Sequence, residues 1–256
     1  MTLELDDATR TLVDAARKTG EPDAALRAKL IACLDYTRLD DTIEEAALDA
    51  MAARAAAAKV AAICIPPAWV ARAKQALAGS KVAIATVVNF PGGEDGPETV
   101  HDVTVAAVRD GADEIDVVFP YKRFLADTAP PASRTLRTCR DACGMDVRIK
   151  VILETGAFHS TEALQRAAAV AIDGGADFLK TSTGKIQQGA TLEAAAVLLA
   201  QIEASGFPVG FKASGGVRTP QDAASYFTLA ESMLGKGWAT PDRFRIGASA
   251  LLDALT

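Results

Sequence analysis

The sequence is poor in histidine and cysteine, the side chains that bind zinc and similar metals. Its 256 residues include two histidines, His101 and His159, and four cysteines, and no two cysteines have the Cys-x-x-Cys spacing of a zinc site. Cys139 and Cys143 lie four residues apart, but nothing near them completes a four-ligand set. We therefore expect buried thiols in a reducing compartment, and neither a metal nor another cofactor.

Long apolar runs and an excess of basic residues are also missing. No apolar stretch approaches the roughly 18 residues of a membrane span. The first residues, 1–7, are acidic and do not resemble a signal peptide. A formal net charge of −6 argues against a nucleic-acid surface, which needs a basic stripe. We expect a cytoplasmic protein with small-molecule partners, binding neither membrane nor nucleic acid; phosphorylated substrates stay open, because a few lysines and amides suffice for them.

Eight short β-rich runs alternate with alanine-rich helical segments. The runs are rich in Val, Ile and Leu without clear alternation, which is typical of parallel strands buried on both faces. This order favours a (β/α)8 TIM barrel over an open sheet, which would carry a glycine-rich turn after its first strand. An extra N-terminal helix is predicted over residues 6–18. With no linker in sight, residues 1–256 are expected to form one domain. The predicted strands are Leu30–Asp35, Val60–Ile65, Val82–Val88, Glu114–Phe119, Val147–Glu154, Asp177–Lys180, Val209–Lys212 and Phe244–Gly247.

Two lysines end apolar runs and are followed by turns of small residues. Lys180 follows Phe178 and Leu179, and Lys212 follows Phe211. Burial of an ammonium is costly, so the neutral amine becomes accessible, and a neutral amine attacks carbonyl groups to form a Schiff base. A second cation within roughly 4–6 Å lowers the pKa of the first. The alternative is that both lysines extend to solvent; we favour a nucleophile at Lys180, which has no acidic neighbour in sequence.

Acidic residues in the first and fourth strands are candidate partners for these lysines. Asp116 precedes three apolar residues and should point into the barrel, either for proton transfer through water or as a structural ion pair. Glu114 is expected to face solvent. Lys150 either adds to the positive field or pairs with Asp116 or Glu154. Asp35, at the end of the first strand, has the same two possible roles as Asp116, with a stronger claim to the structural one, in which it hydrogen-bonds a neighbouring loop.

Small-residue turns follow the last three strands, where barrels often bind phosphate through backbone amides. They contain Gly184 with Lys185, then Gly215 with Gly216, then Gly247 with Ser249. The alternative is that these are ordinary turns between a strand and the next helix.

Cys64, at the end of the second predicted strand, is either a core residue or a thiol that lines the pocket.

At these residues the chain resembles the deoxyribose-phosphate aldolase family of class I aldolases. The resemblance implies reversible cleavage of 2-deoxy-D-ribose 5-phosphate to D-glyceraldehyde 3-phosphate and acetaldehyde on a (β/α)8 barrel. It implies that Lys180 forms the Schiff base, with Lys212 as its partner lysine and Asp116 as a proton relay. The resembling segments are 61–66, 84–91, 111–120, 150–156, 175–185, 210–212 and 215–219. Positions implied to bind the phosphate are Gly184, Lys185, Gly215, Gly216 and Ser249, with Asp35 and Cys64 in the pocket and Thr183 near the substrate hydroxyls.

Three features depart from the family pattern. Ala250 stands where a second serine is expected, so one hydroxyl of the phosphate site is missing. Residues 212–216 read Lys-Ala-Ser-Gly-Gly instead of Lys-Pro-Ala-Gly-Gly. The sequence shows no C-terminal tail with a terminal tyrosine.

Family members are often dimers, which makes a homodimer the state to test. Two alternatives stay open: a pyridoxal-phosphate enzyme, and a non-catalytic barrel that binds sugar phosphates.

Overall fold

The computed structural model describes residues 3–40, 42–127 and 132–256. Within them, eight parallel strands close into a barrel in chain order, and the last strand pairs with the first. Helices follow the strands and surround the barrel, which confirms the predicted (β/α)8 TIM barrel. The strands are β1 Leu34–Thr37, β2 Ala62–Ile65, β3 Ala83–Val88, β4 Glu114–Val118, β5 Arg148–Ile152, β6 Phe178–Lys180, β7 Gly210–Ser214 and β8 Phe244–Ala248.

The helices begin at residues that suit helix N-termini. Ser160, Thr191 and Thr219 each accept a backbone N–H of the first helical turn that follows them, as capping residues do. The helices are α1 Asp7–Arg17, α2 Ala24–Ala32, α3 Glu45–Ala58, α4 Val70–Ala76, α5 Pro97–Arg109, α6 Tyr121–Leu125, α7 Ala132–Cys143, α8 Thr161–Asp173, α9 Leu192–Ser205, α10 Pro220–Leu234 and α11 Leu251–Leu255, and two short 3-10 helices cover Pro67–Trp69 and Thr155–Ala157.

The beginning of the chain differs from the prediction. The extra N-terminal helix is confirmed as α1, but of the predicted strand Leu30–Asp35 only Leu34 and Asp35 lie in β1. Residues 24–32 form α2, capped by Asp23, whose Oδ1 accepts the N–H of Leu26 at 2.8 Å. Alanine, leucine, arginine and lysine are good helix formers, so the apolar residues near position 30 belong to a helix.

The two faces of the strands bury different chemistry. Ile115 and Val117 of β4 belong to the apolar core between barrel and helices, whereas Glu114 and Asp116 alternate with them and therefore face the barrel interior. Strand register then sets the charged neighbours, because Asp116 pairs with Lys150 and Lys180 pairs with Lys212. Hydrophobic packing outside the barrel thus holds a charged layer inside it.

No helix in the described part of the chain is long and apolar enough to cross a bilayer.

Candidate active site

A cavity of about 720 Å³ opens at the carboxyl ends of the strands, between the loops that follow β1, β6, β7 and β8. Active sites of TIM barrels lie at this end. Four other predicted residues, Asp35, Cys64, Asp116 and Lys212, are fully buried and are not among the lining residues. The predicted site residues that line the cavity are Lys180, Thr183, Gly184, Lys185, Gly215, Gly216, Gly247 and Ser249.

Below the cavity floor lies a layer of charged side chains, which we call the ion cluster. All of its members are buried, with at most 4% of their surface exposed. Burial of charge is costly unless each group has partners, and every member contacts a group of opposite charge. The ion cluster consists of Asp35, Glu114, Asp116, Lys150, Lys180, Lys212 and Arg245.

Asp116 lies at the centre of the ion cluster and contacts three lysines. Its Oδ1 lies 2.7 Å from Nζ of Lys150, and its Oδ2 lies 2.7 Å from Nζ of both Lys180 and Lys212. Burial alone would raise the pKa of this carboxyl, but the three ammonium groups outweigh burial and hold the pKa well below its usual range. Asp116 is therefore ionised and fixes the three amines around one point.

Two of the three lysines are held in the charged form. Lys212 also contacts Asp35 at 2.5 Å, and Lys150 also contacts Glu114 at 2.6 Å. Burial would lower the pKa of each amine, but the neighbouring carboxylates prevail and raise both pKa values. Neither amine is therefore suited to act as a nucleophile near neutral pH.

Lys180 is the exception, since it has fewer acidic partners and reaches the cavity. Among the ion pairs of the described residues, its contact is with Asp116, which it shares with two other lysines. Burial lowers the pKa of Lys180, Asp116 opposes this effect, Lys212 adds to it, and the resulting pKa lies below that of an ordinary lysine. Of the three lysines that contact Asp116, the one that lines the cavity is thus the one that loses its proton most readily.

The ion cluster corrects the prediction for Glu114 and decides between the partners considered for Lys150. Glu114 does not face solvent, since it is 2% exposed and contacts Lys150 and Arg245. Its position two residues before Asp116 on a strand is the signal that places both on one face. Lys150 pairs with Asp116 and Glu114, and no ion pair with Glu154 is found among the described residues.

Asp35 of β1 and Arg245 of β8 contribute the remaining charges of the ion cluster. Asp35 contacts Nζ of Lys212 and, at 2.6 Å, Nη1 of Arg245, so the expectation that it binds a loop is wrong. Arg245 was not singled out from the sequence. Its signal was available, because Arg245 lies two residues before Gly247 on the face of β8 that points inward.

Cys64 lies beside the ion cluster and is fully buried. Burial raises the pKa of its thiol, and the charge of Asp116 adds to this rise. A thiol with a raised pKa is a poor nucleophile, so a reactive pocket cysteine is not supported.

The glycines of the loops after β6 and β7 allow two backbones to meet. Gly184 and Gly215 both have positive φ values, of 76° and 90°, and a Cβ on Gly215 would lie 3.4 Å from Cα of Gly184. Gly216 also has a positive φ, of 95°, with nothing within 4 Å of the position of a Cβ. A side chain at 215 or 216 would therefore be strained.

Gly247 has a separate role beside the ion cluster. A Cβ there would lie 2.9 Å from Cβ of Ser214 and 3.0 Å from Cε of Lys212. The glycine therefore makes room for the Lys212 side chain. Ser249 lines the cavity, whereas Ala250 is not among the lining residues.

Three arginines at the cavity wall were not chosen as site residues. All three line the cavity: Arg38 directly follows β1, Arg54 lies within α3, and Arg218 lies in the loop after β7. Arg38 pairs with Asp40, and Arg54 pairs with Asp253. These two ion-paired arginines add little net charge, whereas no ion pair of the described residues includes Arg218. Its positive charge at the cavity wall suits an anionic substrate.

Metal ligands are not grouped in the part of the chain that the structure describes. Among the residues of that part, no three His, Cys, Asp or Glu side chains are grouped so that they could hold a metal ion.

Several known proteins are similar to this chain in sequence and in fold. A deoxyribose-phosphate aldolase of Agrobacterium fabrum (strain C58) is 45% identical over 226 residues, which cover 87% of each protein. A crystal structure from Coccidioides immitis, assigned as a deoxyribose-phosphate aldolase, is 25% identical with a TM-score of 0.81, over 98% of this chain and 97% of that one. The tetrameric deoxyribose phosphate aldolase of Aeropyrum pernix, at 22% identity, shares the fold with a TM-score of 0.78 over 96% of each chain.

The family assignment covers most of the chain. Residues 29–255 match the DeoC/LacD family of aldolases, so the matched region begins within α2 and includes all eight strands. Together with the relative that is 45% identical, this match shows that the chain belongs to the DeoC/LacD family and is an aldolase, an enzyme of the lyase class.

Proposed function

We propose that the protein is a deoxyribose-phosphate aldolase that works through a Schiff base on Lys180. It would reversibly cleave 2-deoxy-D-ribose 5-phosphate to D-glyceraldehyde 3-phosphate and acetaldehyde. The observation that carries the proposal is the environment of Lys180: a buried amine with a lowered pKa, at the wall of a cavity, beside two amines with raised pKa values.

The first step is attack of neutral Lys180 on the aldehyde carbon of the open-chain sugar. Loss of water from the adduct gives an iminium ion, which can accept the electron pair of a breaking C–C bond. The carboxylate of Asp116 lies 2.7 Å from the nitrogen of Lys180 and would stabilise its positive charge in the iminium as it does in the ammonium.

The second step breaks the bond between C2 and C3 of the sugar. The hydroxyl at C3 loses its proton as glyceraldehyde 3-phosphate leaves, and the electron pair moves into an enamine on Lys180. Protonation of the enamine at C2 and hydrolysis then release acetaldehyde. We assign Asp116 and Lys212, which are in contact at 2.7 Å, to the relay of these protons through water.

The phosphate of the substrate would lie against the loops after β6, β7 and β8. Backbone amides of Gly184, Gly215, Gly216 and Gly247 and the side chains of Lys185 and Ser249 are the proposed donors, because all of these residues line the cavity. Thr183 would contact a substrate hydroxyl, and Asp35 and Cys64 would support the pocket from below.

The small-molecule substrates are the expected partners of the protein. A homodimer and a cytoplasmic location stay predictions.

The test is reduction of the Schiff base with borohydride in the presence of acetaldehyde, followed by peptide mass mapping. We expect one ethyl group, on Lys180, and cleavage of deoxyribose 5-phosphate in a turnover assay. Modification mainly at Lys212 or Lys185 would reverse the assignment of the nucleophile, and a protein that neither traps acetaldehyde nor cleaves the sugar would contradict the function.

A further inference from the structure

A buried glutamate with an unusual backbone lies outside the ion cluster. Glu154 follows β5, is fully buried, and has φ 57° and ψ 58°, in the left-handed region. This conformation is uncommon for residues other than glycine, asparagine and aspartate, and glycine would adopt it freely. A residue kept in a costly backbone conformation is expected to serve through its side chain.

The carboxylate of Glu154 binds Thr183 in the loop after β6. The Thr183 hydroxyl donates to Oε2 of Glu154, and the Thr183 backbone N–H lies 3.3 Å from Oε1 and 3.4 Å from Oε2. Burial raises the pKa of Glu154, and the hydrogen bonds from Thr183 oppose this rise. No ion pair of the described residues includes Glu154, so Thr183 is its main polar partner.

The Thr183 hydroxyl oxygen has a second fixed partner. It accepts the backbone N–H of Lys185 at 3.0 Å. A hydroxyl has one proton and two lone pairs. Since the proton is bound to Glu154 and one lone pair to Lys185, the one site left on this oxygen is an acceptor.

We propose that Glu154 is a positioning residue that makes Thr183 a hydrogen-bond acceptor for a hydroxyl of the substrate. The inference rests on the proposed function, since Thr183 and Lys180 line the same cavity. Glu154 would thereby favour aldehydes that carry a hydroxyl donor over aldehydes that carry none.

The loop that carries Thr183 is held in place by other contacts as well. A Cβ on Gly156 would lie 2.1 Å from the carbonyl oxygen of Gln188, and a Cβ on Gly189 would lie 2.2 Å from that of Gly215. The loop therefore packs against the loops after β5 and β7 along its length. Substitution of Glu154 should change the hydrogen bonding of Thr183 and leave the position of the loop unchanged.

The test compares Glu154→Gln with Glu94→Gln, the same change at a glutamate of the β3–α5 loop that pairs with Lys122. In Glu154→Gln, one amide oxygen replaces two carboxylate oxygens, so the hydroxyl and the N–H of Thr183 compete for it. We expect kcat/KM for deoxyribose 5-phosphate to fall by up to roughly tenfold, as for loss of the neutral hydrogen bond between the substrate hydroxyl and Thr183. The rate of acetaldehyde trapping should not fall, because acetaldehyde has no hydroxyl and because loss of the Glu154 charge, which interacts with Lys180, favours the neutral amine. Glu94→Gln should change neither rate.

A second variant, Thr183→Val, keeps the shape of the side chain and removes its hydroxyl. It should show the same selective loss, and the double variant should lose no more than the larger single loss, because both changes remove one interaction. Additive losses, equal losses of cleavage and trapping, or no loss would each overturn the proposal.

Failure of a variant to fold and failure of the proposed function can both be told apart from failure of this proposal. If Glu154→Gln does not fold, Thr183→Val decides alone, and a selective loss of cleavage is required of it. Failure of the unsubstituted protein to trap acetaldehyde or cleave the sugar would refute the proposed function, which is a different result from a Glu154 variant that behaves like the unsubstituted protein.

Discussion

Replacement of Lys212 by methionine should raise the pKa of Lys180. Methionine has a similar length but no charge, so the substitution removes a cation that lowers the pKa of Lys180. It also frees Asp116 from one of its three lysines, which leaves more of its negative charge to stabilise protonated Lys180. Both effects have the same sign, so the fraction of neutral Lys180 at a given pH must fall.

The size of the effect follows from the geometry of Asp116. The nitrogens of Lys180 and Lys212 each lie 2.7 Å from its Oδ2, so they are at most about 5.4 Å apart, twice that distance. Two unit charges about 5 Å apart interact by about 3 kcal/mol at an effective dielectric constant of about 20. This energy corresponds to about two pKa units.

The assay is the rate of acetaldehyde trapping by borohydride, followed from neutral to strongly alkaline pH. Trapping needs the neutral amine, so the rate rises with pH through the pKa of Lys180. For the unsubstituted protein the midpoint should lie below the ordinary lysine value of about 10.4. In Lys212→Met the midpoint should move up by about two units. Lys81→Met, at an exposed lysine just before β3, is the control. An unchanged or lower midpoint in Lys212→Met would refute the role assigned to Lys212.

Three further outcomes are expected. Asp116→Asn should lower the free energy of unfolding by about 3–5 kcal/mol in denaturant titrations, because three buried ammonium groups lose their shared carboxylate; a loss near zero would contradict this. Gly247→Ala should lower kcat more than it changes KM, and should cost about 1–3 kcal/mol of stability, because its Cβ would crowd Ser214 and Lys212; unchanged kcat would show that Lys212 does not need this space. Cleavage should survive dialysis against EDTA, and activity lost there and restored by a divalent ion would disprove catalysis without a metal.

Much of the fold and part of the site could be predicted because the strands repeat one simple pattern. Each apolar run had to be buried on both faces, and eight of them alternating with helices left few architectures open. Since the carboxyl ends of barrel strands converge, Lys180 and Lys212 at two neighbouring strand ends had to lie close together. Their common contact with Asp116 follows from the same convergence.

What could not be predicted depends on tertiary contacts of single residues. Whether the apolar residues near Leu30 formed a strand or a helix depended on the cap at Asp23, a local signal that the apolar run obscured. Glu114 is buried against Arg245, which lies 131 residues further along the chain. No local pattern links the two, although alternation on each strand places both inside the barrel.

The charge balance of the ion cluster explains why one lysine in it can be a nucleophile. The cluster contains three carboxylates and four cations when all are ionised, so it carries one excess positive charge. Arg245 does not lose its proton, and Lys150 and Lys212 have raised pKa values. The excess charge is therefore relieved most easily by loss of a proton from Lys180. An iminium on Lys180 restores the positive charge beside Asp116, and enamine formation removes it again as the C–C bond breaks. In the proposed reaction, cleavage of the bond thus removes the positive charge on Lys180, and the cluster becomes neutral once the relay has passed the proton of the C3 hydroxyl through water to solvent. A fixed, buried layer with one cation in excess favours this outcome.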